Sequence, residues 1–446
     1  MMKQKQIQWV LIAMLAAAGA HPAWAQSRAL PSGNVQEIYE RLLEKIKSIK
    51  IFDHHAHPGY GDDSDVDAQA TPPEHLPFRE RETNPELVAA VKALFDYPYP
   101  DMSEEHMRWL QDRSSAAEKA GGTAYWDRIL DQCGIESSVA NRVAMASYLD
   151  PKRFRWVFFS DSFLFPFDNK TVIAENPDEG VYIPLQEKVL RRYLQQASLG
   201  GLPKSFDEYL AFISRILEEN QKKGAIAEKF EAGYFRSLYF ADPPRQAAEA
   251  VYRKYHSGGV PTPEDYKTFQ DYVFRYLVTE GGRLHLPVHI HTAVGEGDYF
   301  QLRKGDVLNL ENVVKDPRYL NTTFVLIHGG YPYFREVIWL AAMKNVYIDS
   351  SEIETLVYPS EMKNVLKYWL ETYPDKITFG SDSYPYSAAL GSEETYWLGV
   401  YSARDALAAA LAEMVASNEV TEDKALEIAR GYLHDNALSL YPPAPR

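Results

Sequence analysis

The sequence contains one cysteine, Cys133, among 446 residues. A lone cysteine excludes an intrachain disulfide framework and a cysteine-rich zinc site. Basic residues are fewer than acidic ones, with 47 lysines and arginines against 62 aspartates and glutamates and a net charge of −15. This balance argues against a protein that binds nucleic acid, because such proteins contact phosphates through an excess of cations. The sequence also shows neither an internal repeat nor a glycine-rich phosphate loop.

Long apolar runs are absent except near the N-terminus. Residues 1–25 carry two early lysines, an apolar stretch over 9–20 and a small-residue A-W-A motif that ends at Ala25. An apolar stretch of about a dozen residues is shorter than the roughly 20 residues that a transmembrane helix needs. We therefore predict a signal peptide cleaved after Ala25, a periplasmic or secreted protein, and no membrane span once the peptide is removed. An uncleaved membrane anchor is the alternative.

Residues 26–446 are predicted to form a single barrel domain. Their composition is that of a globular protein, with 46% hydrophobic and 24% charged residues in the whole chain. In the second half, short apolar strands alternate with helices of ten or more residues, which predicts βα units and a parallel sheet. The predicted strands lie within 225–235, 286–292, 323–328, 346–349 and 376–382. Since several end in a polar residue, we predict a distorted (β/α)8 TIM barrel, with a doubly wound sheet as the alternative.

The first half is less regular. A short strand at 51–57 follows an amphipathic helix at 35–49, and residues 60–224 are then predicted as a long, mostly helical insertion. Helical stretches are expected at 84–94, 103–121, 186–197 and 205–222, with one strand at 138–144.

Metal-binding side chains lie at four predicted strand ends. They are His55 and His57, His289 and His291, His328, and Asp382. Because residues i and i+2 of a strand point the same way, His55 and His57 can reach one barrel mouth together. Neutral imidazoles bind zinc and related divalent ions, and a nearby aspartate can accept a proton from a water molecule. The pattern therefore predicts a metal-dependent catalytic site.

Five segments resemble the amidohydrolase superfamily. They are DHHAHP (53–58), HIHTAVGEGD (289–298), LIHGGYP (326–332), VYIDSS (346–351) and FGSDSYP (379–385). The resemblance is greatest to the branch with the amidohydrolase-related half of nodulin/FluG-type glutamine synthetase fusions. Uronate isomerases and carboxymuconate-semialdehyde decarboxylases are more distant relatives.

The resemblance implies roles for the residues at the strand ends. His55, His57 and His291 would bind metal, and Asp382 would be both a metal ligand and the general base. His328 would bind a second metal ion or polarise the substrate and carry protons. The cofactor would be one or two divalent ions, with zinc favoured and manganese or another divalent ion as the alternative.

Binuclear members of this superfamily have a carboxylated lysine or a glutamate on strand four. The candidate here is Lys229, with Glu231 facing the same way, and the alternative is a lysine that contacts a substrate carboxylate or solvent. Tyr234 and Arg236, at same-face spacing, are candidates to hold a substrate carboxylate, with a surface ion pair as the alternative for Arg236. His54 and His289 are expected to pack or hydrogen-bond near the ligands rather than to bind metal.

The predicted function is a periplasmic metal-dependent hydrolase that cleaves an amide or ester bond through metal-activated water. A metal-dependent decarboxylase or other carbon–carbon lyase, or a uronate-type isomerase, is the first alternative, because one fold hosts many reactions. A non-catalytic periplasmic binding protein is the second. The expected partner is a small-molecule substrate, which could bear a carboxylate, and assembly into a homo-oligomer is left open.

Overall fold

The computed structural model describes residues 32–59, 76–295, 297–387 and 389–441. The predicted signal peptide, residues 1–25, lies outside the described residues and stays a prediction. Within the described ranges, no helix combines the length and the apolar character that a membrane crossing requires.

In the described ranges, eight parallel strands form one sheet, and each strand pairs with its neighbours in chain order. The strands are β1 (Ile51–Ala56), β2 (Ile135–Asn141), β3 (Phe154–Phe159), β4 (Ala225–Phe230), β5 (Val288–His291), β6 (Phe324–Ile327), β7 (Val346–Asp349) and β8 (Ile377–Thr378). The sheet closes beside β8, where the amide of His54 donates to the Phe379 carbonyl at 2.9 Å and that of Asp382 donates to the His55 carbonyl at 2.8 Å. The predicted (β/α)8 barrel is thus confirmed.

Helices surround the barrel. They are α1 (Ser32–Lys47), α2 (Pro85–Phe95), α3 (Glu104–Gly121), α4 (Ala124–Cys133), α5 (Lys170–Ile173), α6 (Glu179–Gln196), α7 (Phe206–Lys222), α8 (Ala232–Phe235), α9 (Arg245–Tyr255), α10 (Pro263–Leu284), α11 (Glu311–Val314), α12 (Phe334–Val337), α13 (Ile353–Leu356), α14 (Pro359–Leu370), α15 (Ser392–Ala416), α16 (Glu422–Arg430) and α17 (Asn436–Leu438). A π-helical turn at Gly431–Asp435 joins the last two.

The helix α7 shows how the sequence specifies this arrangement. It begins with a capping box, in which the Ser205 side chain accepts from the Glu208 amide and the Glu208 side chain accepts from the Ser205 amide. Tyr209, Ile213 and Leu217, spaced four residues apart, lie on one buried face. This face packs against β4 and α10 and so fixes the strand that carries Lys229.

The range 60–224 is not one insertion, because β2 and β3 lie inside it and pair with β1 and β4. The helical insertion after the first strand comprises α2–α4, while α5–α7 connect β3 to β4. The strand β3 was missed because its sequence, FRWVFF, lacks a period-two alternation of apolar and polar residues. A barrel strand contacts the interior on one side and helices on the other, so both of its faces can be apolar.

A bulge in β1 determines where its histidines point. Asp53 pairs with Ser138 of β2, but Ala56 pairs with Ala140, so β1 advances three residues while β2 advances two. The extra residue places His54 inside the barrel and turns His55 toward the barrel mouth. The carboxylate of Asp53 faces the helices and accepts from Ser138 Oγ at 2.6 Å.

The barrel has an interior apolar cluster that is separate from the main core between strands and helices. It consists of Phe52, Val139, Val157, Ile226, Ala227, Ala437 and Tyr441. Its last two members come from α17 and the segment after it, so this segment fills the barrel interior beneath the carboxyl ends of the strands.

Candidate metal centre

The carboxyl ends of the strands bring the predicted metal-binding residues together. His55, His328 and Asp382 each offer one ligand atom, and these atoms lie within 4.8 Å of one another. His57 and His291 adjoin them, because the ring centroid of His57 is 5.2 Å from that of His55 and the centroid of His291 is 4.5 Å from that of His328. All five side chains are buried.

Asp382 is the centre of the first half of the site. Its Oδ1 atom lies 3.3 Å from Nε2 of His55 and 3.6 Å from Nε2 of His57. Although Oδ1 is buried, it makes no hydrogen bond within the described part of the chain. The other oxygen, Oδ2, accepts from the Tyr386 hydroxyl at 3.2 Å. A buried carboxylate oxygen that faces two imidazoles without bonding to them is a suitable metal ligand.

His291 and His328 form the second half. Nε2 of His291 donates to the Val294 carbonyl at 2.6 Å, which leaves a lone pair on its Nδ1. Nδ1 of His328 donates to the Ser351 carbonyl at 3.1 Å, which leaves a lone pair on its Nε2. These two lone-pair nitrogens are 3.0 Å apart. Two nitrogens that bind one tetrahedral zinc ion at 2.0–2.1 Å would be separated by about 3.3 Å, so the pair fits a shared cation.

The electrostatics keep these imidazoles neutral. Burial, followed by the charge of Lys229, lowers the pKa of His55. Burial also lowers the pKa of His291, and it lowers the pKa of His328 to about 4 although Asp382 acts in the opposite direction. Neutral imidazole is the form that binds metal, so burial favours the form of these side chains that a metal site would need.

Lys229 lies within this cluster. Its Nζ atom is 3.4 Å from Nε2 of His55 and 3.5 Å from Oε1 of Glu231, and its side chain is fully buried. A buried ammonium beside one carboxylate is an ion pair, whereas a carboxylated lysine at the same place would present two oxygens to the surrounding histidines.

Strained backbone marks the same strand ends. Ala293, His328, Glu352 and Asp382 have φ values of 58°, 64°, 68° and 47°, which L-residues with side chains rarely adopt. Each such conformation costs on the order of 1–3 kcal/mol, and these conformations concentrate at functional sites. Three of these residues follow β5, β6 and β7 directly or closely, so the strain orients side chains at the barrel mouth.

Tyr234 lies at the site, but Arg236 does not. The ring of Tyr234 is 4.6 Å from that of His291, centroid to centroid. Arg236 instead pairs with Asp271 at 2.6 Å and also donates to the Gln270 side chain and the Tyr239 carbonyl. The prediction that Arg236 binds a substrate carboxylate is therefore corrected. The structure instead contains the alternative, an ion pair. Since β4 ends at Phe230, same-face strand spacing does not extend to residue 236.

His54 and His289 lie one layer below the mouth, inside the barrel. Nδ1 of His54 contacts Oδ2 of Asp349 at 3.0 Å, and Nε2 of His289 contacts the Tyr441 hydroxyl at 2.8 Å. Their rings stack with centroids 4.8 Å apart. Both histidines hydrogen-bond beneath the site, as the sequence predicted.

Two residues at the site were missed by the sequence analysis. Asn141, the last residue of β2, places its amide nitrogen 2.9 Å from Nδ1 of His55. It is a polar residue at a strand end, the same signal that identified the histidines. Glu80, from the insertion, carried no such signal. Its Oε1 is buried without a hydrogen bond among the described residues, and burial, followed by the charge of Asp382, raises its pKa to about 8.

A (β/α)8 barrel with histidines and an aspartate converging at its mouth defines a class of metal-dependent enzymes. Within that class, the chain belongs to the amidohydrolase family, whose model matches residues 219–442. It is also 30% identical to Protein fluG of Emericella nidulans over 157 residues, which are 35% of this chain and 17% of that protein. The chain thus spans less than a fifth of the length of that curated relative.

Solved structures show the same fold over nearly the whole chain. A proposed metal-dependent hydrolase from Lactobacillus casei has a TM-score of 0.58 and 18% identity, with coverage of 90% of this chain and 97% of that one. Glucuronate isomerase from Caulobacter crescentus has a TM-score of 0.56 and 14% identity, with coverage of 95% and 98%. Uronate isomerase from Thermotoga maritima has a TM-score of 0.55 and 14% identity, with coverage of 95% and 100%. At these identities the likeness shows the fold.

Proposed function

We propose that this enzyme is a hydrolase that cleaves an amide or ester bond with a divalent cation, zinc being favoured. The observation that carries the proposal is the convergence of ligand atoms from His55, His328 and Asp382 within 4.8 Å around a buried carboxylate oxygen without a hydrogen bond. His57 and His291 complete the proposed ligand set. A divalent ion held there would lower the pKa of a water molecule toward neutrality.

The protein's own groups account for the proton transfers. The Oδ1 atom of Asp382 is placed to accept a proton from the attacking water and to pass it to the leaving group. His328 is held by the Ser351 carbonyl, so the lone pair of its Nε2 faces the site and can bind an ion or accept a proton. Tyr234, whose ring lies beside that of His291 at an interplanar angle of 43°, is the proposed substrate contact.

An isomerase or a decarboxylase on the same site is the second candidate. It is supported by Glu231, whose Oε1 lies 3.5 Å from Nζ of Lys229 and would stabilise this lysine as an ammonium, a form that cannot bridge two cations. A mononuclear site would follow from this pair. One ion per chain would favour this candidate but would also fit a mononuclear hydrolase, so the product decides between the two.

Metal content tests the proposal. The full protein is purified without chelator, and divalent ions per chain are measured for the wild type, a His55→Ala/His57→Ala variant and a His256→Ala control. His256 ends α9 on the outside of the barrel, where its ring stacks on Tyr252. We expect one or two ions per chain in the wild type and the control, and a large loss in the double variant. A wild type that binds no divalent ion even after reconstitution overturns the proposal.

The reaction is tested on the loaded protein. Hydrolysis of N-acyl amino acids and simple esters is measured beside carbon dioxide release from aromatic carboxylates and isomerisation of uronates. Turnover of an amide or ester that disappears in the His55→Ala/His57→Ala variant supports the hydrolase. Carbon dioxide release or uronate isomerisation without hydrolysis replaces it with the second candidate.

We propose a periplasmic location, supported by the A-W-A motif before residue 26. Expression with the natural N-terminus, followed by cell fractionation and intact mass measurement, tests it. A protein that begins at Gln26 in the periplasmic fraction is the expected result. An unprocessed chain in the membrane fraction would support the anchor instead.

A further inference from the structure

The segment after α17 places one aromatic side chain inside the barrel. Tyr441 is buried, and its ring stacks on Phe52 of β1 with centroids 6.1 Å apart and an interplanar angle of 21°. The guanidinium carbon of Arg155 lies 5.3 Å from the centroid of the same ring. Since these contacts hold the ring, they also fix where its hydroxyl points.

The Tyr441 hydroxyl lies between two histidines from opposite sides of the barrel. It is 2.5 Å from Nε2 of His54 on β1 and 2.8 Å from Nε2 of His289 on β5. The other nitrogen of His54, Nδ1, lies 3.0 Å from Oδ2 of Asp349 at the end of β7. One phenol, two imidazoles and one carboxylate thus form a buried polar layer beneath the proposed ligands.

The direction of each hydrogen bond in this layer follows from the carboxylate. Asp349 accepts, so His54 carries its proton on Nδ1 and presents a lone pair at Nε2. The Tyr441 hydroxyl must therefore donate to His54, and its oxygen accepts from Nε2–H of His289. This arrangement requires that Nδ1 of His289 be unprotonated. That nitrogen has no hydrogen-bond partner among the described residues, so no acceptor there requires a proton on it.

The same chain of hydrogen bonds continues to the metal centre. Oδ1 of Asp349 accepts from the Ser351 amide at 3.0 Å. The Ser351 carbonyl in turn accepts from Nδ1–H of His328 at 3.1 Å, and this contact sets the lone pair of His328 Nε2 toward the site. Tyr441 is therefore connected to His328 through His54, Asp349 and Ser351.

We propose that Tyr441 is a positioning residue of the metal centre, whose hydroxyl holds the ring of His54 by donating to its Nε2 and, through Asp349 and Ser351, supports the orientation of His328. This inference rests on the proposed metal centre and assigns a role to a side chain beyond the proposed ligands. A purely space-filling role would need no hydroxyl, because branched apolar residues commonly fill barrel interiors. Buried polar groups are stable only when hydrogen-bonded, and here the hydroxyl provides the bond for both histidines.

The first test uses the metal-free wild-type protein and needs no substrate. Nitrogen-15 NMR of ring-labelled histidine distinguishes protonated from unprotonated ring nitrogens, and His54→Gln and His289→Gln spectra assign the two signals. We expect His54 to be protonated at Nδ1 and His289 at Nε2. The reverse tautomer at His54 overturns the proposal whether or not the protein binds metal.

The second test uses Tyr441→Phe in the full chain, which removes the hydroxyl and keeps the ring. Its matched control is Tyr252→Phe, because Tyr252 is also buried and donates to the Pro203 carbonyl outside the barrel at 2.7 Å. The Kd for zinc is measured by competition with a chelator, and the visible spectrum of the cobalt-loaded protein reports ligand geometry. Mutation of a residue that orients a metal ligand typically lowers metal affinity by about 10- to 100-fold. Because the Tyr441 hydroxyl is farther from the ligands, we expect the zinc affinity to fall by about three- to tenfold.

The outcomes separate the proposal from a structural role. A weaker zinc Kd and an altered cobalt spectrum in Tyr441→Phe, with both unchanged in Tyr252→Phe, support it. Equal losses of Tm in both variants, with the zinc Kd and the cobalt spectrum unchanged, overturn it. A wild type that binds neither ion overturns the proposed function instead, and the NMR measurement then still decides the tautomer of His54.

Discussion

The affinity of the site for zinc should depend only weakly on pH between about 7.5 and 5.5. Protonation competes with metal for each imidazole, so an ordinary histidine loses affinity as the pH falls below its pKa. With the usual pKa of about 6.5, an imidazole is about nine-tenths protonated at pH 5.5, which weakens binding about tenfold. Three such ligands would together weaken binding about a thousandfold over this range.

The buried ligands behave differently. Burial lowers the pKa of His328 to about 4, so about 3% of its rings are protonated at pH 5.5. Burial also lowers the pKa of His55 and of His291. Because a lowered pKa keeps imidazole neutral on acidification, these three ligands should retain affinity, and we expect the zinc Kd to change by far less than the thousandfold of three ordinary imidazoles.

The measurement is a calorimetric titration of metal-free protein with zinc at several pH values, corrected for buffer and chelator protonation. Circular dichroism of the metal-free protein at each pH checks that the fold is unchanged. A loss of affinity of about a hundredfold or more by pH 5.5, with the fold intact, would refute the argument that these imidazoles are held neutral by burial.

Two further changes give distinct expected results. Asp382→Asn should lower kcat by about a thousandfold in the loaded protein, since the amide cannot accept the proton from water; unchanged turnover would remove Asp382 from that role. Arg236→Gln should lower stability by about 1–3 kcal/mol, because the buried Asp271 loses one of its two ion partners and keeps the other, Lys267. Denaturant unfolding measures that loss, and metal content should stay at the wild-type value; a loss of metal would place Arg236 at the site after all.

The barrel and the cluster at its mouth could be predicted because both follow from local patterns. Apolar strands that alternate with helices indicate βα units, and a polar residue at a strand's carboxyl end must lie at the barrel mouth. His55, His328 and Asp382, although far apart in the sequence, were therefore expected together, and their ligand atoms converge within 4.8 Å. The alternation of strands and helices, together with the position of each residue at a strand end, is enough to predict that these side chains meet.

The hydrogen-bonded layer below could not be predicted in the same way. The partner of His54 is Tyr441, which lies 387 residues later and outside any strand. Its position depends on how the segment after α17 enters the barrel, and no periodicity in the sequence encodes that path. The bulge that separates His54 from His55 is likewise a property of the pairing between β1 and β2, which two strands determine together.

Arg236 shows the limit of strand spacing as a guide. The prediction assumed that the extended chain continued past Lys229, so that alternate residues would face the substrate. The chain instead leaves the sheet after Phe230 and forms the short helix α8, and this turn directs Arg236 toward Asp271. Tyr234, inside the same helix, still reaches His291. Residues beyond a strand end therefore need the loop geometry before a role is assigned.

The state of Lys229 connects the metal count to the chemistry. As an ammonium, Lys229 pairs with Glu231 and adds a positive charge 3.4 Å from Nε2 of His55, which opposes a second cation at that place. Carboxylation would replace this charge with an anion among neutral histidines and so favour a second cation. One ion per chain and an ammonium at Lys229 therefore belong together, as do two ions and a carboxylated Lys229. The hydrolase is compatible with either state, whereas the isomerase or decarboxylase is favoured by one ion and an ammonium, so two ions and a carboxylated Lys229 would point to the hydrolase.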